Sequence, residues 1–169
     1  MLSRRHPPGH FPLVLVLDHL KPGFNVGKIL RSANAFGCRE VHLVGVRAFD
    51  PTPSKGSLRH TRTRSFDTFA ESFTELSGEG YAFFALDPAG VRTLDGLIFP
   101  ERAALVLGHE EYGLSFDPAA YPGVEIVSIP QYGLVQSLNV SIAAALATYE
   151  YVRQRRSSAT PASPPPAAR

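Results

Sequence analysis

Two apolar runs rich in Leu and Val, with a helical pattern between them, constrain this chain more than any other feature. "FPLVLVLD" (residues 11–18) places apolar side chains at consecutive rather than alternating positions, and an acid closes it. A strand of that kind must be covered on both faces, as in a parallel sheet. "NVGKILRSANAFG" (25–37) follows, with Val26, Ile29, Leu30, Ala33 and Phe36 at helical spacing and Gly37 placed to end the helix. "EVHLVGV" (40–46) is a second buried strand. Strand, helix, strand in that order favours parallel neighbours joined by a crossover. The alternation continues. "SFDTFAESFTEL" (65–76) predicts a helix with Phe66, Phe69, Phe73 and Leu76 on one core stripe; "GYAFFALD", "RAALVLG" and "GVEIVSIP" predict strands. A last helix runs from about Leu138 to Arg153. The expected fold is α/β: an open, mostly parallel sheet of five or six strands with helices on both faces.

With 169 residues, the chain is expected to hold one domain over 1–156, large enough for a real core. The last stretch, "SSATPASPPPAAR" (157–169), has the composition of a disordered tail. Two arginines precede the apolar run Leu13–Leu17, but that run is too short for a signal peptide and Asp18 ends it. No apolar stretch approaches the ~20 residues a membrane crossing needs. The single cysteine, Cys38, excludes an internal disulfide, suits a reducing cytoplasm, and reads as a small core residue.

A net charge of +2 hides a strong asymmetry: residues 1–66 carry +8, residues 67–125 carry −9, and residues 126–169 carry +3. Basic ends around an acidic middle hint at a face for a polyanion, although ordinary solvated surface can segregate in the same way. The stretch Arg47–Arg64, "RAFDPTPSKGSLRHTRTR", is basic, lacks periodicity and is full of turn formers. A loop of that length inside a domain tends to be functional.

Three polar clusters fall where strands end, the usual place for ligands in open α/β sheets. In the first, Asn25 to Arg31, Asn25 could simply cap the helix, while Arg31 enters the apolar pattern and needs a partner, a ligand or solvent. The second, "LVLGHEEYGLS" (105–115), combines glycines that permit close backbone approach with carboxylates that can accept from hydroxyls or amines. It contains no G-x-G-x-x-G and no phosphate loop, and no second His stands at metal-ligand spacing from His109, so no metal is expected. The third is "IPQYGLVQSLNVSIAAAL" (129–146). Ser137 is placed to cap the final helix, but Gln136 and Asn139 then have no role, and Asn is a weak choice inside a helix.

Together, and in this order, the three clusters resemble the three motifs of the TrmH/SpoU family of SPOUT RNA 2′-O-ribose methyltransferases, over roughly residues 13–153. The resemblance implies a deep trefoil knot near the C-terminus, with S-adenosylmethionine held bent in its loops. Knots are rare exceptions to ordinary chain topology, and periodicity does not predict one. Leu107, Ile129 and Leu138 would wall in the adenine, with Gly108, His109, Gly113, Gln131, Leu134 and Ser137 completing the cofactor pocket. Arg31, Asn25, Glu110, Ser137 and Asn139 match the catalytic positions. Arg31, too basic to act as an ordinary base, would clamp the RNA phosphate and stabilise alkoxide charge, and Asn25 would orient it or the substrate. Lys55, Arg59, Arg62 and Arg64 of the basic loop would contact RNA phosphates.

The resemblance further implies a cytoplasmic homodimer, free of membrane, with the last helix and the first motif at the interface and each site drawing on both chains. "VQSLNVS" is particularly similar to the branch that methylates a D-loop guanosine of tRNA, so tRNA is the favoured substrate. Ribosomal RNA, or an inactive RNA-binding knot protein, are the alternatives. His109 stands where the family more often has Asn. A separate N-terminal RNA-binding domain like that of many ribosomal members is not expected, so recognition should rest on the catalytic domain, its basic ends or partners.

Overall fold

The computed structural model describes residues 7–156, and the tail expected over 157–169 lies outside the described residues. Strands and helices follow in the order β1 (Phe11–Asp18), α1 (Phe24–Ala35), β2 (Cys38–Val44), β3 (Thr63–Phe66), α2 (Phe69–Gly78), β4 (Ala82–Leu86), β5 (Arg92–Thr93), β6 (Ala103–Leu107), β7 (Val124–Ser128) and α3 (Val140–Arg155). All strand pairs are parallel, in a seven-stranded sheet ordered β3-β2-β1-β6-β4-β7-β5. Seven strands exceed the expected five or six, and the two that match none of the five apolar runs are the edges. β3 is short and polar, and β5 has two residues, so neither leaves a readable pattern.

β1 is central, and its last six residues are buried, as its unbroken apolar run requires. Leu13, Leu15 and Leu17 face one layer, built from α1 and α3; Val14 and Val16 face the other, built on α2. In that second layer Phe69 stacks on Phe116 and meets Tyr121 and Phe73 edge-on or tilted. The helix expected from Ser65 starts later. Thr68 caps α2 in a capping box with Glu71, and Phe66 lies in β3, its ring 4.6 Å from that of His42.

Two other expectations shift at the ends of elements. Gly23, not Asn25, is the N-cap of α1, and no side chain caps it. Asn139, not Ser137, caps α3: its Oδ1 accepts from the Ser141 amide at 2.9 Å. Gly37 does end α1, with φ of +70°. The basic stretch 47–64 is partly ordered into 3-10 turns at Thr52–Ser54 and Ser57–Arg59, which pack on α1.

The second half of the chain crosses the sheet twice. β6 enters between β1 and β4, β7 lies on the far side of β4, and α3 returns to pack on α1 and β6. Tyr151 anchors that return: it is fully buried, its ring contacts Phe11 and Phe99, and its hydroxyl donates to the Glu101 carbonyl. Cys38 is buried as expected, and burial pushes its thiol up to about 12. Among the described residues no helix is long and apolar enough to cross a membrane.

Candidate functional site

A chain of hydrogen bonds joins the three polar clusters. Glu110 accepts from the Asn25 amide (Nδ2 to Oε1, 2.8 Å) and from the backbone N–H of Lys21 (3.0 Å). Asn25 Oδ1 accepts from Asn139 Nδ2 at 3.3 Å, and Asn139 Oδ1 accepts from the Ser141 amide and hydroxyl. The amide orientations are forced. An ionised carboxylate only accepts, so the Asn25 NH2 faces it; a backbone N–H only donates, so the Asn139 oxygen faces Ser141. Burial pushes the Glu110 carboxyl up, but the bonds from Asn25 and Lys21 outweigh it and hold the group below the ordinary carboxylate range. Glu110 is thus an ionised anchor with both oxygens engaged, and a weak base.

The loop after β6 is held closed at several points. Lys21 pairs with Glu111. His109 and Gly113 exchange backbone hydrogen bonds at 2.8 and 2.9 Å. His109 Nδ1 accepts from the N–H groups of Glu111 (3.0 Å) and Tyr112 (3.3 Å), which leaves the ring proton on Nε2. In this turn Nδ1 does the work of an amide oxygen, which accounts for His at a position where Asn was expected. A Cβ on Gly108 would lie 2.5 Å from the Gly113 carbonyl carbon, so the loop closes only over glycine.

Beyond the carboxyl ends of β6, β4 and β7 this loop borders a cavity of about 410 Å³. It is lined by Leu86, Asp87 and Pro88 at the end of β4, by Leu107 to Glu110, Gly113 and Leu114 at the end of β6 and in its loop, by Val127, Ile129 and Gln131 of β7 and its continuation, and by Ser137 to Val140 and Ala143 at the start of α3. Eight of the nine expected cofactor residues are among them: Leu107, Gly108, His109, Gly113, Ile129, Gln131, Ser137 and Leu138. Leu134 is not, and is fully exposed. Glu110, Ser137 and Asn139 line the same cavity, and Asn25 is bonded to its rim.

Arg31 stands apart. It is exposed on the face of α1 that also carries Phe24 and Lys28, and it does not line the cavity. The basic loop divides. Lys55 and Arg59 are exposed, with no ion pair among the described residues. Arg62 and Arg64 are turned inward: Arg62 Nε lies 2.9 Å from Glu40 Oε2, and Arg64 grips both oxygens of Glu75. The expectation that both meet RNA phosphates overlooked these partners, which lie on β2 and α2. Among the described residues Glu40, His42 and Glu75 form the one His–carboxylate group close enough to chelate a metal, but these two guanidiniums already neutralise its carboxylates.

Sequence reasoning passed over Asp18, fully buried at the end of β1. Its oxygens accept from the Ser115 amide (2.6 Å) and hydroxyl (2.7 Å) and contact His19 Nδ1 (2.8 Å), pinning the far end of the loop after β6. An acid at the end of an apolar strand was the available signal. Asp87 was passed over in the same way.

Comparison with known proteins bears on this geometry directly. The model of the SpoU rRNA Methylase family matches residues 12–149. The tRNA (guanosine(18)-2'-O)-methyltransferase of Thermus thermophilus is 34% identical over 163 residues, covering 92% of this chain and 79% of that protein. Its counterpart in Escherichia coli K12 is 31% identical over 165 residues, covering 94% of this chain and 69% of that protein. The SpoU methyltransferase AviRb of Streptomyces viridochromogenes, solved with AdoMet, superposes with a TM-score of 0.76 at 29% identity, covering 88% of this chain and 59% of that chain. The chain therefore belongs to the SpoU family of S-adenosylmethionine-dependent RNA methylases.

Proposed function

We propose that this chain methylates the ribose 2′-hydroxyl of a tRNA nucleotide, with a D-loop guanosine as the favoured target. The observation that carries the reading is the bond series Glu110–Asn25–Asn139, which joins all three motifs at the mouth of one cavity. The cavity suits S-adenosylmethionine: Leu86, Leu107, Val127, Ile129 and Leu138 offer apolar walls, Gly108 permits close backbone approach, and the buried Gln131 Oε1, with no partner among the described residues, is open to a ligand donor.

When bound, the cofactor supplies a methyl group already activated on a sulfonium. The protein must bring the hydroxyl in line with it and stabilise the charge left as its proton departs. Glu110 fixes Asn25, Asn25 fixes Asn139, and Asn139 holds the start of α3, so the rim is rigid before RNA arrives. Arg31 supplies the cation for the RNA phosphate and the developing alkoxide. Its place outside its own chain's cavity fits a homodimer in which it serves the partner's site. The exposed apolar residues Ile142, Leu146 and Tyr149, on one face of α3 beside α1, fit the same interface. The double crossing of β6, β7 and α3 supports the trefoil knot. Lys28, Arg31, Lys55 and Arg59 give RNA a basic face on α1 and the turns packed against it, and the single buried thiol suits a reducing cytoplasm.

The test is incubation with labelled S-adenosylmethionine and separate pools of tRNA and ribosomal RNA. Label in tRNA, at a ribose 2′-oxygen on mapping, is expected. Label confined to ribosomal RNA moves the substrate assignment there, and no transfer while cofactor and RNA both bind leaves an inactive RNA-binding protein. Arg31→Ala is expected to abolish transfer with cofactor affinity within a few fold of wild type; a large loss of affinity contradicts the role given to it.

A further inference from the structure

The charged groups lining the cavity are all of one sign. Asp87 and Glu110 contribute carboxylates, and among the described residues no Lys or Arg lines it. Lys21, on the loop after β1, is paired with Glu111, and neither lines the cavity. The two acids are not equivalent. Both oxygens of Glu110 already accept protein N–H groups. At Asp87, Oδ1 accepts from the Ala89 amide at 2.8 Å, and Oδ2 has no protein donor among the described residues. Asp87 follows β4, which lies between β6 and β7, so it stands at the middle of the three strand ends that build the site. Gln131 adds a second open acceptor, its Oε1 buried in the same cavity with no partner among the described residues. A negatively charged lining with an open carboxylate oxygen and a buried open amide oxygen suits a ligand that brings donors and positive charge.

We infer that Asp87 is a cofactor-binding residue whose open carboxylate oxygen makes the cavity prefer the sulfonium form of the cofactor over the thioether product. The inference rests on the reading of the cavity as the S-adenosylmethionine site. Bound S-adenosylmethionine carries a sulfonium and an ammonium against one carboxylate. After methyl transfer the sulfonium becomes a neutral thioether and the ligand loses one positive charge. A carboxylate in a partly desolvated cavity therefore attracts the reactant more than the product. Asp87 thereby favours loading of fresh cofactor and release of spent cofactor, which are binding steps rather than chemistry.

The experiment measures, by calorimetry on the full chain, dissociation constants for S-adenosylmethionine, S-adenosylhomocysteine and the analogue that carries a protonated amine in place of the sulfonium. Wild type is expected to bind the two cationic ligands more tightly than the thioether. Asp87→Asn keeps an oxygen for the Ala89 amide and removes the charge. It is expected to weaken both cationic ligands about tenfold and the thioether by less than about threefold. Asp87→Ser, which keeps a turn-forming oxygen, should shift the ratio in the same direction; thermal melts check that both variants fold. Equal weakening of all three ligands, or no weakening, overturns the inference. Failure of wild type to bind any of them overturns the cofactor reading itself, so the two failures are distinguishable.

Discussion

Gly108 faces the Gly113 backbone so closely that no methyl group fits between them. The clash would be with backbone atoms, a carbonyl carbon at 2.5 Å and a carbonyl oxygen at 2.7 Å, which cannot swing aside as a side chain could. Gly113 adopts φ of +73°, so the facing strand of the turn is itself committed. Gly108→Ala is therefore expected to open the turn, at a cost of about 1–3 kcal/mol in stability, and to weaken cofactor binding more than tenfold while the sheet survives. Calorimetry with S-adenosylmethionine beside a far-ultraviolet spectrum checks this; a native spectrum with unchanged affinity refutes it. The site residues were legible at this scale because glycine, glutamate and asparagine are poor fillers of strand ends, so their presence there needed a reason. Their exact partners were not legible. Asn139 looked misplaced inside a helix expected from Leu138, but the helix begins at Val140, with Asn139 as its cap. Asp18 and Ser115 are 97 positions apart, and no local pattern announces that β1 and β6 are neighbours.

Elements were read best where burial on both faces left an unbroken apolar run, as in β1 and β6. They were read worst where tertiary contacts decided the outcome. Phe66 shares the spacing of the α2 stripe, yet β3 takes it by pairing with β2, with Phe66 opposite Val44. That pairing encloses a polar cluster between β2, β3 and α2. His42 is fully buried there, with Nε2 3.1 Å from Glu40 Oε1 and Nδ1 2.8 Å from Ser72 Oγ. Burial lowers the His42 pKa, and the attraction of Glu40 only partly offsets it; Arg64 adds to the lowering, while Glu79 acts on the side of Glu40. The sign follows from the direction. A depressed folded-state pKa means that the unfolded chain takes up the proton first, so the contribution of neutral His42 is complete above about 6.5 and is lost as pH falls below it. Melting temperature is expected to drop between pH 7.5 and 5.5, with a slope of up to about 1.4 kcal/mol per pH unit from this one proton. His42→Gln, which fills similar space without titrating, should flatten that slope even if it lowers the plateau. An undiminished slope in the variant would assign the effect to other groups.

Across the whole molecule, the difference between one chain and a pair of chains decides how the site works. The family resemblance implies a site shared between protomers, which neither periodicity nor composition could suggest. Within one chain Asn25, Glu110 and Asn139 converge, while Arg31 sits on the outer face of α1 with Phe24 and Lys28, near the α3 face of Ile142, Leu146 and Tyr149. If Arg31 serves the cavity of the opposite protomer, two defective chains can complement each other. Arg31→Ala spoils the site its arginine reaches, in the partner, and Gly108→Ala spoils the cavity of its own chain. In a mixed dimer both defects then fall on one site and the other is intact, so purified heterodimers are expected to recover about half of wild-type transfer. If Arg31 acts within its own chain, each site carries one defect and no activity returns. Differently tagged chains, co-expressed and isolated by both tags, give the heterodimer free of either parent. A dead heterodimer of correct mass that still binds RNA would place Arg31 in its own chain's site and remove the reason for a shared one.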